Sequence, residues 1–183
     1  MYFRRILMRR ALILAAGKGS RMKTDIPKCG YPILNKPMIL YQIEALERAN
    51  VDKIIVVVGY KAEYFQKLLG ARVIFVTQDE MLGTAHAALQ AKSLLENEIG
   101  KTIIMPGDMP LIHAPLIDKL FRGHEEMGND LTVVSMIQEN PRGYGRIIYD
   151  EYGNVSSIIE DKDCNDVQKG IDEVNSGLIL LII

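Results

Sequence analysis

The 183 residues carry 22 Lys and Arg against 23 Asp and Glu, so a net charge of −1 supplies no basic field that would draw the chain to nucleic acid. Hydrophobic residues make up 48% and charged ones 25%, the mix of a globular protein with a sizeable core, in a length that suits one domain. No apolar run approaches the ~20 residues that span a bilayer, and two cysteines, Cys29 and Cys164, make neither a disulfide framework nor a zinc site, so a cytoplasmic setting is expected.

In chain order, residues 1–7 read as a leader, because Met8 is a second candidate start. The apolar stretch Ala11–Ala16 is too short for a secretory signal and leads straight into Gly17-Lys18-Gly19. Short runs rich in Ile, Leu and Val at Ala11–Ala15, Lys53–Val58, Arg72–Val76 and Lys101–Met105 suit strands buried on both faces. Between them lie helical patterns. The first opens after Pro37 and places Met38, Ile39, Gln42, Ile43, Leu46 and Ala49 at helical spacing. Lys61–Leu69 and Thr84–Leu95 follow, with Gly70 and Asn97 as stops, then Pro115–Met127 closing at Gly128. Strand and helix in alternation predict an α/β fold with a mainly parallel sheet covered on both sides. After Asp130 the pattern changes to strands at Leu131–Ile137, Gly145–Tyr149, Val155–Glu160 and Val174–Leu181, with a turn at Asp150–Asn154. A mixed region beside the parallel core is expected there. The chain stops inside the apolar run Leu178–Ile183, which reads as a domain over 1–183 interrupted at its C-terminus.

The first strand runs into Leu14-Ala15-Ala16-Gly17-Lys18-Gly19-Ser20-Arg21-Met22. Ligands of open parallel sheets bind beyond the carboxyl ends of the strands. Two glycines and small alanines let the backbone approach a triphosphate, and successive N–H groups form an anion nest. Arg21 adds a planar fork for phosphate oxygens and Lys28 a mobile charge. The run is not a P-loop, which needs Lys followed by Ser or Thr after a longer glycine-led stretch, and it lacks the third glycine of the dinucleotide fingerprint. A bare Gly-x-Gly would be a tight turn. The full run followed by Pro27-Lys28 is more than that.

This run resembles the signature of the sugar-1-phosphate nucleotidyltransferases, and among them the N-acetylglucosamine-1-phosphate uridyltransferases. The similarity extends over nearly the whole chain. It implies a Rossmann-like nucleotidyltransferase fold with a mostly parallel mixed central sheet, here C-terminally truncated, and Leu14, Ala15, Ala16 and Gly17 as nucleotide-binding backbone. Gln78 with Leu82-Gly83-Thr84-Ala85-His86-Ala87 matches a further motif, in which Gln78, Gly83 and Thr84 hold the uracil. An amide beside a glycine has the donors and acceptors to read a pyrimidine edge. His86, with no acid or nucleophile near it in sequence, reads as a packing or capping residue.

Gly107-Asp108-Met109-Pro110-Leu111 ends the Lys101–Met105 strand and resembles the family's metal motif, which implies Gly107 at the nucleotide and Asp108 on Mg²⁺. Alone, Asp108 would be a turn aspartate. The family has Tyr where this chain has Pro106, and its second protein ligand to magnesium is an asparagine beyond the last residue here. Gly143-Tyr144-Gly145-Arg146-Ile147, Glu160-Asp161-Lys162-Asp163 and Asn175-Ser176-Gly177 match three sugar-side motifs, which assign Gly145, Glu160 and Asn175 to the sugar.

The resemblance thus implies UTP and N-acetylglucosamine 1-phosphate as substrates, UDP-N-acetylglucosamine and pyrophosphate as products, and Arg21, Lys28 and Asp108 as the catalytic charges. No nucleic acid or membrane partner is expected. Oligomerisation is expected only through a β-helix domain absent from this chain. Another sugar-1-phosphate nucleotidyltransferase, a molybdopterin guanylyltransferase and a non-catalytic nucleotide-binding fragment are the alternatives.

Overall fold

The computed structural model describes residues 7–19, 22, 24–96 and 99–183, so residues 1–6 of the expected leader, Arg21 and the expected helix stop Asn97 lie outside the described residues. The chain divides into two compact units, residues 1–132 with 180–183, and residues 133–179.

The first unit is built on four parallel strands. β1 (Met8–Leu14) pairs with β4 (Lys53–Val58) on one side and β6 (Gly100–Pro106) on the other, and β5 (Ile74–Thr77) pairs with β4. Ala11, Leu12, Ile13 and residues Ile55 to Val58 are fully buried, as expected of continuous apolar runs covered on both faces. α1 (Met38–Arg48) packs beside α5 (Ala114–Glu126). Leu12, Ile55 and Val57 point to the opposite face, where Ala87 of α3 (Thr84–Leu89), Leu95 of α4 (Lys92–Leu95) and Ala91 between the two helices cover them. α2 (Ala62–Leu69) links β4 to β5, ending at Gly70 with φ +54.

Several boundaries differ from the expected ones for identifiable reasons. β1 begins at Met8 rather than Ala11 because Arg9 and Arg10 are strand residues. Arg10 is fully buried and donates to the carbonyls of Leu95, at 3.1 Å, and Ile183, at 2.9 Å. Those partners are 85 and 173 residues away, where no local pattern reveals them. Arg72 closes a 3-10 turn, Gly70–Arg72, and β5 starts at Ile74. The expected helix Thr84–Leu95 is two short helices, broken at Gln90 and Ala91. A small hairpin of β2 (Pro32–Ile33) and β3 (Lys36–Pro37) precedes α1, turned by Leu34 and Asn35 at φ 49 and 65.

In the second unit the strands are antiparallel. β8 (Arg146–Tyr149) and β9 (Val155–Ile159) form a hairpin around the expected Asp150–Asn154 turn, where Asp150 N–H donates to Asn154 at 2.8 Å. β10 (Glu173–Ile182) pairs with β8 through Val174 and Arg146 and also with β7 (Leu131–Ile137), and Ser176 Oγ donates to Val134 at 2.6 Å. α6 (Asp166–Lys169) opens with a capping box between Asn165 and Gln168.

Candidate functional site

A cavity of about 350 Å³ lies beyond the carboxyl ends of the parallel strands of the first unit. Pairing sets its contents. β1 and β6 run side by side with Leu14 opposite Pro106, so the loop after β1 and the turn after β6 emerge together. Leu14, Ala16, Gly17 and Gly19 line one side, and Pro106, Gly107 and Asp108 another. Among the described residues the N–H groups of Ala16, Gly17 and Lys18 meet no backbone acceptor, as an anion nest requires. A side-chain carbon at Gly17 would meet nothing within 4 Å, so the backbone is open to approach there.

Lys28 reaches the cavity from the 3-10 turn Lys28–Gly30, and its ammonium pairs with the Asp108 carboxylate. The two side chains are 40% and 32% exposed, so both charges stay within reach of a ligand. Arg21, the other expected cation, lies outside the described residues. Asp108 offers one hard oxygen ligand, and among the described residues no three His, Cys, Asp or Glu gather as a metal cluster. This donor set fits Mg²⁺, which takes its other ligands from phosphate and water, rather than a cation needing a closed protein cage.

The far wall carries Gln78, Met81, Gly83 and Thr84. Gln78 is buried at the end of β5, with its amide nitrogen 3.3 Å from the Gly83 carbonyl and 3.0 Å from His86 Nδ1. Gly83 has φ +101, a conformation that favours glycine before a helix start. His86 neither caps α3 nor merely packs; it bridges Gln78 and Gln90.

Two of the expected nucleotide-binding residues have main-chain N–H groups that are already spent. Ala15 is 1% exposed and does not line the cavity, and its N–H donates to Val57 at 2.9 Å. Gly107 lines the cavity, but its N–H is spent on Leu14 at 2.9 Å, which leaves its carbonyl and its missing side chain as contributions. Sequence reasoning passed over Cys29, Met81 and Gly59. Cys29 and Met81 line the cavity. Burial, with Asp108 nearby, pushes the Cys29 thiol up to about 12, so it is a neutral wall group and not a nucleophile. Gly59 follows β4, where a side-chain carbon would lie 2.8 Å from Met81 and 3.1 Å from the Ala16 carbonyl. An isolated glycine after a strand was the available signal for it.

In the second unit, the three expected sugar residues meet. Asn175 N–H donates to the Gly145 carbonyl at 2.8 Å, and the Glu160 carboxylate stands 3.5 Å from where a side-chain carbon at Gly145 would begin. Asn175 Oδ1 accepts from Gly177 N–H at 2.9 Å, which fixes the orientation of its amide. Buried Arg146 pairs with Asp161 at 2.9 Å. Gly143 N–H and that guanidinium hold the Asp161 carboxyl below the usual range.

Residues 11–153 match the MobA-like NTP transferase domain family. The chain is 50% identical over 171 residues to the bifunctional protein GlmU of Acholeplasma laidlawii, covering 93% of this chain and 37% of that protein. It is 45% identical to the GlmU of Carboxydothermus hydrogenoformans, covering 91% of this chain. It therefore spans about 37% of the length of these curated relatives. A solved structure of HddC from Yersinia pseudotuberculosis complexed with GMP-PN aligns with a TM-score of 0.72 at 29% identity, over 96% of this chain and 77% of that one. A putative glucose-1-phosphate thymidylyltransferase from Bacillus anthracis aligns at 0.74 with 19% identity, over 95% and 71% of the two chains, a likeness of fold alone. The architecture is thus the expected Rossmann-like one, with a parallel core and antiparallel strands after it. No helix among the described residues is long and apolar enough to cross a membrane.

Proposed function

The chain belongs to the MobA-like NTP transferase family, and from that premise we propose that it transfers a uridylyl group, converting UTP and N-acetylglucosamine 1-phosphate to UDP-N-acetylglucosamine and pyrophosphate. One observation carries the reading: the loop after β1, Lys28, Asp108 and the Gln78–Gly83 pair line a single cavity. A phosphate oxygen of the sugar phosphate forms a bond to the α-phosphorus while the bond to the β-phosphate breaks, and pyrophosphate leaves. Lys28 exchanges its Asp108 partner for a phosphate oxygen, and the freed carboxylate is the group that would hold Mg²⁺. When bound, Mg²⁺ supplies neutralisation of the phosphate charge. Loop amides position the triphosphate, so catalysis is placement plus electrostatics. Gly145, Glu160 and Asn175 are the proposed readers of the sugar. Arg21 is proposed as a second phosphate cation. A cytoplasmic setting is supported by two buried, unpaired cysteines.

Pyrophosphate release from UTP and N-acetylglucosamine 1-phosphate in the presence of Mg²⁺ tests the proposal. Asp108→Ala is expected to lower the rate by about 10²-fold or more. An unchanged rate in that variant removes Asp108 from the mechanism. A guanylyl-transferring reading has one specific support, the GMP-PN complex of HddC. Binding of UTP, dTTP, CTP and GTP to the chain separates the two.

A further inference from the structure

His86 stands behind the cavity wall, and glutamine amides engage both of its ring nitrogens. Nδ1 lies 3.0 Å from the amide of Gln78, and Nε2 lies 3.1 Å from the amide of Gln90. Each amide also reaches a main-chain carbonyl. Gln90 donates to the carbonyl of His86 at 3.1 Å, and Gln78 approaches that of Gly83 at 3.3 Å. A neutral imidazole has one N–H and one lone pair, so it cannot accept from both amides. One of the two must turn its oxygen to the ring, and the two glutamine orientations are therefore linked through His86.

The carbonyls decide which amide turns. An amide oxygen facing a carbonyl oxygen is repelled, more strongly the closer they are, and Gln90 has the shorter contact. Gln90 therefore keeps its N–H groups on the His86 carbonyl and on Nε2. The ring proton then sits on Nδ1 and goes to Gln78 Oε1, so the Gln78 NH₂ group is the end left for a ligand in the cavity that Gln78 lines.

We infer that His86, set by Gln90, is a positioning residue that fixes Gln78 as a donor, and so makes the cavity select bases with a ring carbonyl over bases with an amino group at that edge. Uracil, thymine and guanine offer that carbonyl; cytosine and adenine carry the amino group instead. The inference rests on reading the cavity as the base site. Neither His86 nor Gln90 lines the cavity, so neither side chain meets the base itself.

Two measurements on the full chain test it. Nitrogen-15 NMR of the imidazoles is expected to find His86 protonated at Nδ1; protonation at Nε2 alone reverses the chain of donors and overturns the inference. Calorimetric titration with UTP and with CTP, both with Mg²⁺, is expected to show UTP preferred, with the preference reduced about tenfold or more in His86→Leu and in Gln90→Leu. The second variant, at a half-exposed position, guards against a folding defect in the first. Tight UTP binding with an unchanged UTP-to-CTP ratio in Gln90→Leu overturns the relay. A wild-type chain that binds no nucleotide overturns the base-site reading itself, a different result from a chain that binds both nucleotides alike.

Discussion

Two glycines of the loop after β1 act through different physics. Gly19 has φ +63, and a side-chain carbon there would stand 2.6 Å from Lys28 Cβ. Gly19→Ala is expected to cost about 1–2 kcal/mol through its left-handed backbone, and more through the clash. It also displaces Lys28, so UTP affinity falls with stability. Gly17→Ala adds a methyl group that meets nothing within 4 Å. Its urea midpoint is expected to stay at the wild-type value while UTP binding weakens, because the methyl takes room from the ligand. Equal loss of stability in both variants would contradict this division.

Among the elements, α5 carries the clearest pH dependence. His124 is buried on it, with Nδ1 2.8 Å from Thr132 Oγ1 and Nε2 without a hydrogen-bond partner among the described residues. Burial, then the charge of Lys101, hold its pKa below the ordinary 6.5, against an opposing pull from Asp130. A depressed histidine is neutral in the fold, while the unfolded chain takes up a proton near its ordinary value. The stability it contributes is therefore present above that value and is lost as pH falls through it toward the folded pKa. The urea midpoint should drop as pH is lowered from about 7.5 to about 5.5, and His124→Gln should flatten that slope. A slope unaltered by the substitution places the dependence elsewhere. Lys101, itself buried, is balanced by Glu125 at 2.9 Å, so β6 and α5 share an ion pair beside the histidine.

At the scale of the whole chain, the first unit is closed by its last residues. Gly100 and Ile183 exchange two main-chain hydrogen bonds, at 2.7 and 3.0 Å, and the Ile183 carbonyl accepts from buried Arg10. Leu180 is fully buried. Deleting Leu180–Ile183 opens a hole, bares the edge of β6 and removes a partner of a buried guanidinium, which together cost about 3–5 kcal/mol or more. Thermal unfolding of the shortened chain should fall by many degrees, and an unchanged melting temperature would deny the contact any weight. Contacts between residues so far apart also predict slow folding of this unit.

The sequence alone determined which segments are strands buried on two faces, where the glycine-containing loop after the first strand lies, and which residues have the chemistry to meet a nucleotide. Apolar runs, glycine spacing and side-chain type are local properties, so Lys53–Val58 and the Asp150–Asn154 turn could be read directly. The change of pattern after Asp130 likewise fell beside the unit boundary at residue 133. Only the tertiary structure decided that Lys28 pairs with Asp108, that Ala15 faces the core, that Arg10 begins a strand and that His86 joins two glutamines. Each of these turns on strand order and on which hydrogen-bonding group is already spent. Those are set by neighbours distant along the chain, through pairing and desolvation that no local window contains.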